Sequence, residues 1–388
     1  MNAHQNYSQG ITDNASGKLK VLHIINGFLD TSVYSNLLSG LRSHGAASTV
    51  VCPCPYGKHI PESIPEYVYP MKSYSNWQRL FFLWKENKIL KAVENEKIPV
   101  ADYDIIHAHT VFTNGYAAWK LAKKYNKPFI VTVRNTDLNI FFRYRLNLRH
   151  LGIRILNDAA GVVFLSKSYQ KRLAEEYLPD RCLDVLEKKS EIIPNAIYES
   201  YFANAMQHAP LSGKKSLRIL SVGSILPDKN FTTICEAVKI LRESGLDASL
   251  QIVGKPVDEK ELKKIKRYDF VHYNPPVSQQ DLIPFFRNND IFVLASHRET
   301  FGLVYAEAMT QGMPVIYTAG EGFDQQFPDG TVGYGVNDRD PEDIARAIER
   351  AAANYDKLSH NSYTMAEKFR CCNVGKQLCE FYHRQIAG

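Results

Sequence analysis

The chain has 388 residues, 45% of them hydrophobic and 23% charged, with a net charge of +6. Such a length suits two or three domains of ordinary globular composition, and no stretch approaches the roughly 18 consecutive apolar residues that a membrane-spanning helix needs. Residues 1–205 hold 25 Lys/Arg against 18 Asp/Glu, a net +7, and the remainder holds 22 against 23, a net −1; an anionic partner, phosphate groups or a lipid surface, is therefore expected for the first half, and no nucleic-acid motif is present.

Residues 1–17 are polar, without the apolar core of a secretory leader, and read as a disordered tail. The seven cysteines are irregularly spaced, with no Cys-x2-Cys pair; Cys52 and Cys54 read as buried thiols, and a reducing, cytoplasmic setting follows. Strands are expected at Leu19–Ile25, Ser48–Cys52, Ile105–His107, Phe129–Val133 and Gly161–Leu165, with helices at Ser32–His44, Trp77–Glu96, Thr113–Lys124 and Lys167–Tyr177. Strands alternating with helical patterns specify βαβ units and a parallel sheet. His107 and His109 share a strand face, but no third ligand is visible, so no metal site is assigned. Asp102-Tyr-Asp104 has metal-motif spacing, yet it precedes a strand instead of ending one. Two stretches, Trp77–Lys91 and Ile140–Ile155, mix aromatics with basic residues. Either they contact an anionic lipid surface or they bury their aromatics and solvate their charges.

The pattern restarts after residue 205. Strands at Ser216–Val222, Ala248–Val253, Val271–Tyr273, Ile291–Ala295 and Pro314–Tyr317 alternate with helices at Phe231–Ser244, Glu259–Tyr268, Gln279–Asn288, Leu303–Gln311 and Pro341–Asn354. The reading is α/β: a unit over 18–198, a second doubly wound unit over 199–366, and a last helix over 367–388. In open parallel sheets ligands bind beyond the carboxyl ends of the strands, so two such units leave a binding cleft between them.

The most informative segment is Ser296 to Tyr317, SHRETFGLVYAEAMTQGMPVIY. An apolar strand ends at Ala295, a polar loop carries Glu299, and Gly302 lets a ligand approach the backbone. The first amides of the helix opening at Leu303 have no partner within the helix and suit a phosphate. Glu307 lies one turn further on. A nucleotide sugar needs this distribution: carboxylates accept from sugar and ribose hydroxyls, while amides and a cation hold the diphosphate. Lys229, at the start of a helix after Leu217–Val222, supplies the cation; a lysine there opposes the helix dipole unless it meets an anion.

These residues resemble glycosyltransferase family 4, the retaining enzymes of GT-B fold, in which two Rossmann-like domains face a central cleft. The likeness rests on Glu299-x7-Glu307 followed by Gly312-Met-Pro314-Val315, on Ile192-Ile-Pro194-Asn195-Ala196, and on Val222-Gly-Ser-Ile-Leu-Pro-Asp-Lys-Asn230; Asp104-Ile-Ile-His-Ala-His109 and Phe164-Leu-Ser166 fit its first domain. It implies that Glu307 accepts ribose hydroxyls and Glu299 contacts the donor sugar. The amides of Phe301, Gly302, Leu303 and Val304 would cradle the distal phosphate, and Lys229 would pair with the diphosphate. The base would stack near Val271–Asn274, Gly27 would belong to the first domain's glycine loop, and His109 would orient the acceptor. It further implies a hexosyltransferase-type enzyme, with retention and without a metal or other cofactor. A UDP- or GDP-sugar would be the donor and a glycan or polyprenyl-linked substrate the acceptor, in surface polysaccharide assembly at the inner face of a membrane. The final helix would cross back onto the first domain. Three positions depart from the pattern. Ser224 stands where the family's loop arginine usually follows its glycine, the paired glycines of the first domain are reduced to Gly27, and Arg134 stands where a histidine is frequent. Arg134, with Asn135 and Asp137 on the acceptor side, is expected to replace the missing clamp charge across the cleft. The alternatives are a non-hydrolysing nucleotide-sugar epimerase and an inactive glycan-binding partner subunit.

Overall fold

A computed structural model describes residues 18–96, 98–207, 211 and 216–387; the polar tail at 1–17 lies outside them. Seven strands build the first sheet: β1 Lys20–Ile24, β2 Ala47–Pro55, β3 Val68–Tyr74, β4 Ile105–Ala108, β5 Phe129–Val133, β6 Gly161–Phe164 and β7 Ser190–Ile192. Six build the second: β8 Leu217–Val222, β9 Ala248–Val253, β10 Val271–Asn274, β11 Ile291–Leu294, β12 Val315–Thr318 and β13 Gly333–Val336. The orders are β3-β2-β1-β4-β5-β6-β7 and β10-β9-β8-β11-β12-β13, and every pairing is parallel. Each order reverses direction beside its first strand, which opens a crevice at the carboxyl ends of β1 and β4 and of β8 and β11. The strands are near-continuous apolar runs, as sheets covered by helices on both faces require.

Every expected strand is present within a few residues of its expected ends. The three that went unseen lie at sheet edges: β3 carries Pro70, β7 has three residues, and β13 has glycine at Gly333 and Gly335, all features that weaken an alternation signal. The single helix expected over Trp77–Glu96 is two elements, a 3-10 segment Asn76–Leu80 and a helix Phe82–Asn95. The second buries Phe82, Ile89 and Val93, the i, i+7, i+11 stripe that seats it on the first core.

The last helix, Cys371–Ala387, lies against the helix Val33–Ser43 of the first domain. The two backbones meet at Gly40 and Gly375: a Cβ on Gly40 would stand 1.9 Å from the carbonyl oxygen of Cys371, so only hydrogen atoms fit there. Tyr382 on this helix reaches the first sheet, its hydroxyl 2.6 Å from His107 Nδ1.

Candidate active site

Lys229 and Glu299 are 70 residues apart in sequence and meet because β8 and β11 are sheet neighbours. The loops after these strands are stitched together: His297 N donates to Asp228 O (2.8 Å) and Arg298 pairs with Asp228 (2.9 Å). Lys229 Nζ then lies 2.5 Å from Glu299 Oε2. The lysine is not in the first turn of the helix Phe231–Glu243, as expected, but closes a 3-10 turn, Pro227–Lys229, ahead of Asn230. Asn230 sits in the left-handed region (φ 56°) and ties the turn to the strand ends by donating to Ala295 O (2.9 Å) and Asp338 O (2.6 Å). No dipole mismatch therefore exists; Glu299 supplies the anion.

Glu299 is held from several directions. Its N–H donates to Glu321 Oε2 (2.8 Å), and its carbonyl accepts from Tyr169 OH (3.1 Å) and Gly322 N (3.0 Å). Glu321, on the loop after β12, pairs with Arg172 of the first domain (3.2 Å), and burial raises its pKa. The helix Leu303–Thr310 follows, entered through Gly302 at φ 71°. A Cβ on Gly302 would meet the Tyr305 ring at 2.3 Å, so both backbone and space demand glycine. Among the described residues no group accepts from the amides of Phe301, Gly302, Leu303 or Val304. N–H groups left without an acceptor at the positive end of a helix are an arrangement that suits an anion. The Phe301 side chain itself is buried against Phe369, centroids 5.6 Å apart, and Gly322 packs over the Thr300–Phe301 peptide.

Glu307 is 6% exposed. Burial pushes its carboxyl up to about 7, and the Tyr201 hydroxyl opposes that only in part. Such a group gains by accepting from neutral hydroxyls, which spread its charge without importing a counter-ion. Asn274 ends β10; its side-chain oxygen accepts from Gln251 (3.1 Å) and its carbonyl from Gly254 N (3.1 Å). Ser224 is half-buried. Gly27 follows β1 at φ −116°, and a Cβ added there would have no atom closer than 4.0 Å, so neither backbone nor packing requires glycine.

Across the cleft, Arg134, Asn135, Asn26, Tyr34 and Thr300 line a cavity of about 320 Å³. Asn135 spans the two domains by donating to Thr300 Oγ1 (2.9 Å). The Arg134 guanidinium donates to His109 O (3.1 Å) and Asn195 Oδ1 (3.4 Å) and stacks over Tyr34, 4.9 Å from its centroid. Asp137 is misplaced as an acceptor-side residue: it is fully buried, one oxygen accepting from Val111 N and Phe112 N and the other from Arg134 N. It clamps two loops together, with burial raising its pKa to about 6. His109 is likewise removed from the role of orienting an acceptor. It is fully buried, its Nε2 is 3.1 Å from His23 Nδ1, and Tyr34 packs edge-on against it at 5.3 Å. The third imidazole thought absent is His23, the register partner of His107 on the neighbouring strand. The three rings bring nitrogens within 4.8 Å of one another. Burial pushes His23 down to about 3 and His107 and His109 well below the usual range, and both His107 nitrogens are engaged, by Tyr382 and Thr132. The cluster is a neutral hydrogen-bonded block under Arg134. Asp104 accepts from Lys20 N (2.7 Å) at the amino ends of β1 and β4, on the opposite side of the sheet from the cleft.

The glycosyl transferases group 1 family matches residues 204–369, and Glycosyltransferase Family 4 matches residues 31–200. A D-inositol 3-phosphate glycosyltransferase of Paenarthrobacter aurescens is 26% identical over 304 residues, 74% of either chain. A second such enzyme, from Geodermatophilus obscurus, is also 26% identical, over 69% of this chain and 63% of its own. The alpha-monoglucosyldiacylglycerol synthase of Acholeplasma laidlawii is 24% identical over 341 residues, covering 81% of this chain and 82% of that one. Among solved structures, sucrose-phosphate synthase from Thermosynechococcus elongatus superposes with a TM-score of 0.73 at 17% identity, covering 95% and 99% of the two chains. Matched by these two models over residues 31–200 and 204–369, with two Rossmann-like domains facing a cleft, the chain belongs to glycosyltransferase family 4 and is a glycosyltransferase of GT-B fold.

Proposed function

We propose that the protein transfers a hexose from UDP or GDP to a glycan or polyprenyl-linked acceptor, with retention at the anomeric carbon, in surface polysaccharide assembly at the inner face of a membrane. One observation carries the reading: four unpartnered amides at Phe301–Val304 open a helix beside the Lys229–Glu299 pair. An amide cluster of this kind suits a diphosphate, and Lys229 needs only to turn from Glu299 to reach it. Glu299 is then released to accept from hydroxyls of the donor sugar, and Glu307 from those of the ribose. The dominant barrier is charge developing on the departing diphosphate. Fixed donors aimed at such charge are worth roughly 3–4 kcal/mol each, and the proposed steps call on no metal. Arg134, held on the facing wall, adds a cation where Ser224 supplies none. Asn135–Thr300 and Arg172–Glu321 hold the two walls together, which excludes water from the donor.

The test is turnover of UDP- and GDP-hexoses with a polyprenyl-phosphate-linked sugar as acceptor, the product's anomeric configuration being read by NMR. An α-linked product from an α-linked donor is expected. An inverted product refutes the retaining mechanism, and isomerisation of the donor without transfer replaces this reading with an epimerase.

A further inference from the structure

Of the aromatics in the two basic stretches, only Phe82 and Phe142 are buried. Trp77, Leu80, Phe81, Leu83 and Trp84 are all exposed, Leu80 at 72%. Trp77, Phe81 and Trp84 form one aromatic cluster, with centroids 5.0–6.3 Å apart. Ile140, Tyr144 and Leu146 are exposed as well, and Arg145 donates to Leu80 O (3.4 Å), which joins the second stretch to the first. Beneath them Phe82 packs on Phe141 at 5.6 Å and Phe141 on Phe112 at 4.6 Å, so the surface layer rests on the core. Exposed large apolar side chains at this density mark a contact surface.

The charge around the patch selects the partner. Residues 72–85 and 140–149 carry Lys72, Arg79, Lys85, Arg143, Arg145 and Arg149 and no Asp or Glu. Lys85 is neutralised by buried Glu86 (2.7 Å), but Arg79 and Arg143 are exposed and Lys88 stands over the Trp84 ring at 5.0 Å. Aromatics that settle at a headgroup boundary, ringed by cations, match an anionic bilayer. The patch is also continuous with the cleft, because Ile140 and Phe141 line the same cavity as Arg134, Asn135 and Thr300.

We infer that this face, centred on Trp77, Phe81, Trp84 and Tyr144, seats the first domain on an anionic lipid surface, and that the acceptor is anchored in that surface and enters the cleft past Ile140 and Phe141. The second clause rests on the glycosyltransferase reading; the first does not.

The experiment is sedimentation of the full chain with vesicles of phosphatidylglycerol and phosphatidylcholine, against phosphatidylcholine alone, with UDP-induced thermal stabilisation measured on the same samples. Binding to the anionic vesicles, weakened by salt and accompanied by a blue shift of tryptophan emission, is expected; buried Trp119 contributes none of that shift. The triple variant Trp77→Ser/Phe81→Ser/Trp84→Ser should partition at least about tenfold more weakly. Arg79→Ser and Arg143→Ser should cost about fivefold each. All these variants should keep the UDP response. Wild-type protein that ignores anionic vesicles, or a triple variant that binds them equally well, overturns the proposal. So does a wild-type dimer that the triple variant converts to monomer, since a second copy then covers the face. Vesicle binding without any UDP response sinks the enzymatic reading and leaves the surface standing.

Discussion

Replacing Glu307 by glutamine should stabilise the protein while weakening its donor site. The carboxyl has a pKa of about 7 in the fold against an ordinary 4.5. Between those values the folded state holds a proton that the unfolded chain releases, so this group's contribution to stability is fully present below about pH 4.5 and is lost as pH rises through 7. A displacement of that size corresponds to about 3 kcal/mol, at ~1.4 kcal/mol per pH unit. Glutamine is nearly isosteric and never ionises. Glu307→Gln should therefore match wild type near pH 4.5 and exceed it by about 3 kcal/mol at pH 8, or roughly 6–12 °C in melting temperature for a domain of this size. Urea or thermal unfolding of both proteins from pH 4.5 to 8.5 reads the difference directly. Nucleotide binding supplies a second readout: if the ionised form accepts ribose hydroxyls, UDP should release a proton on binding near pH 6.5, visible by calorimetry in buffers of different ionisation enthalpy, and the glutamine variant should release none. Parallel stability curves for the two proteins would refute the reasoning, because burial would then cost the carboxylate nothing.

Further substitutions separate the remaining roles. Lys229→Met should lower kcat about a hundredfold or more by removing a fixed donor to the leaving group, with folding intact; steady-state kinetics and a melting curve check both halves. Gly302→Ala places a methyl 2.3 Å from the Tyr305 ring at φ 71°, a left-handed conformation that alone costs roughly 1–2 kcal/mol; it should abolish UDP binding in calorimetry while the far-UV circular dichroism is retained. Asp137→Asn replaces one of the two oxygens that accept from Val111 N, Phe112 N and Arg134 N by an NH2 group, leaving at least one main-chain donor facing another donor, and should destabilise by about 1–3 kcal/mol in urea unfolding. Arg134→Lys should recover part of the turnover that Arg134→Met loses if the charge matters across the cleft; equal losses in the two assign the residue to packing.

Sequence patterns reach the fold readily because parallel strands buried on both faces are short apolar runs, and those of β5 and β9 give both ends. The loop proposed to hold the donor is equally legible: Glu299, Gly302 and Glu307 fall within nine residues, across a strand–loop–helix junction that the structure reproduces. The facing wall is not, because its geometry depends on which strands are neighbours. His23 and His107 lie far apart in sequence and side by side in the sheet, and the same adjacency brings Lys229 to Glu299. Glu321 and Arg172 escaped notice for that reason, although Glu321 also follows the carboxyl end of a strand, the place where a ligand-facing acid is expected. Asp137 shows the opposite error. A carboxylate in a cleft-facing loop reads as a contact until the main-chain donors around it are seen.

On the proposed function, a nucleoside diphosphate rests on the amides of Phe301–Val304 between Lys229 and Glu307. A thermal-shift titration of the wild type and Glu307→Ala with UDP and with GDP tests it most directly, since a ligand stabilises the fold by RT ln(1 + [L]/Kd). One of the two nucleotides should raise the wild-type melting temperature in a concentration-dependent way, and the alanine variant should show no rise. A wild type indifferent to both, or a variant that responds as strongly as the wild type, contradicts the account.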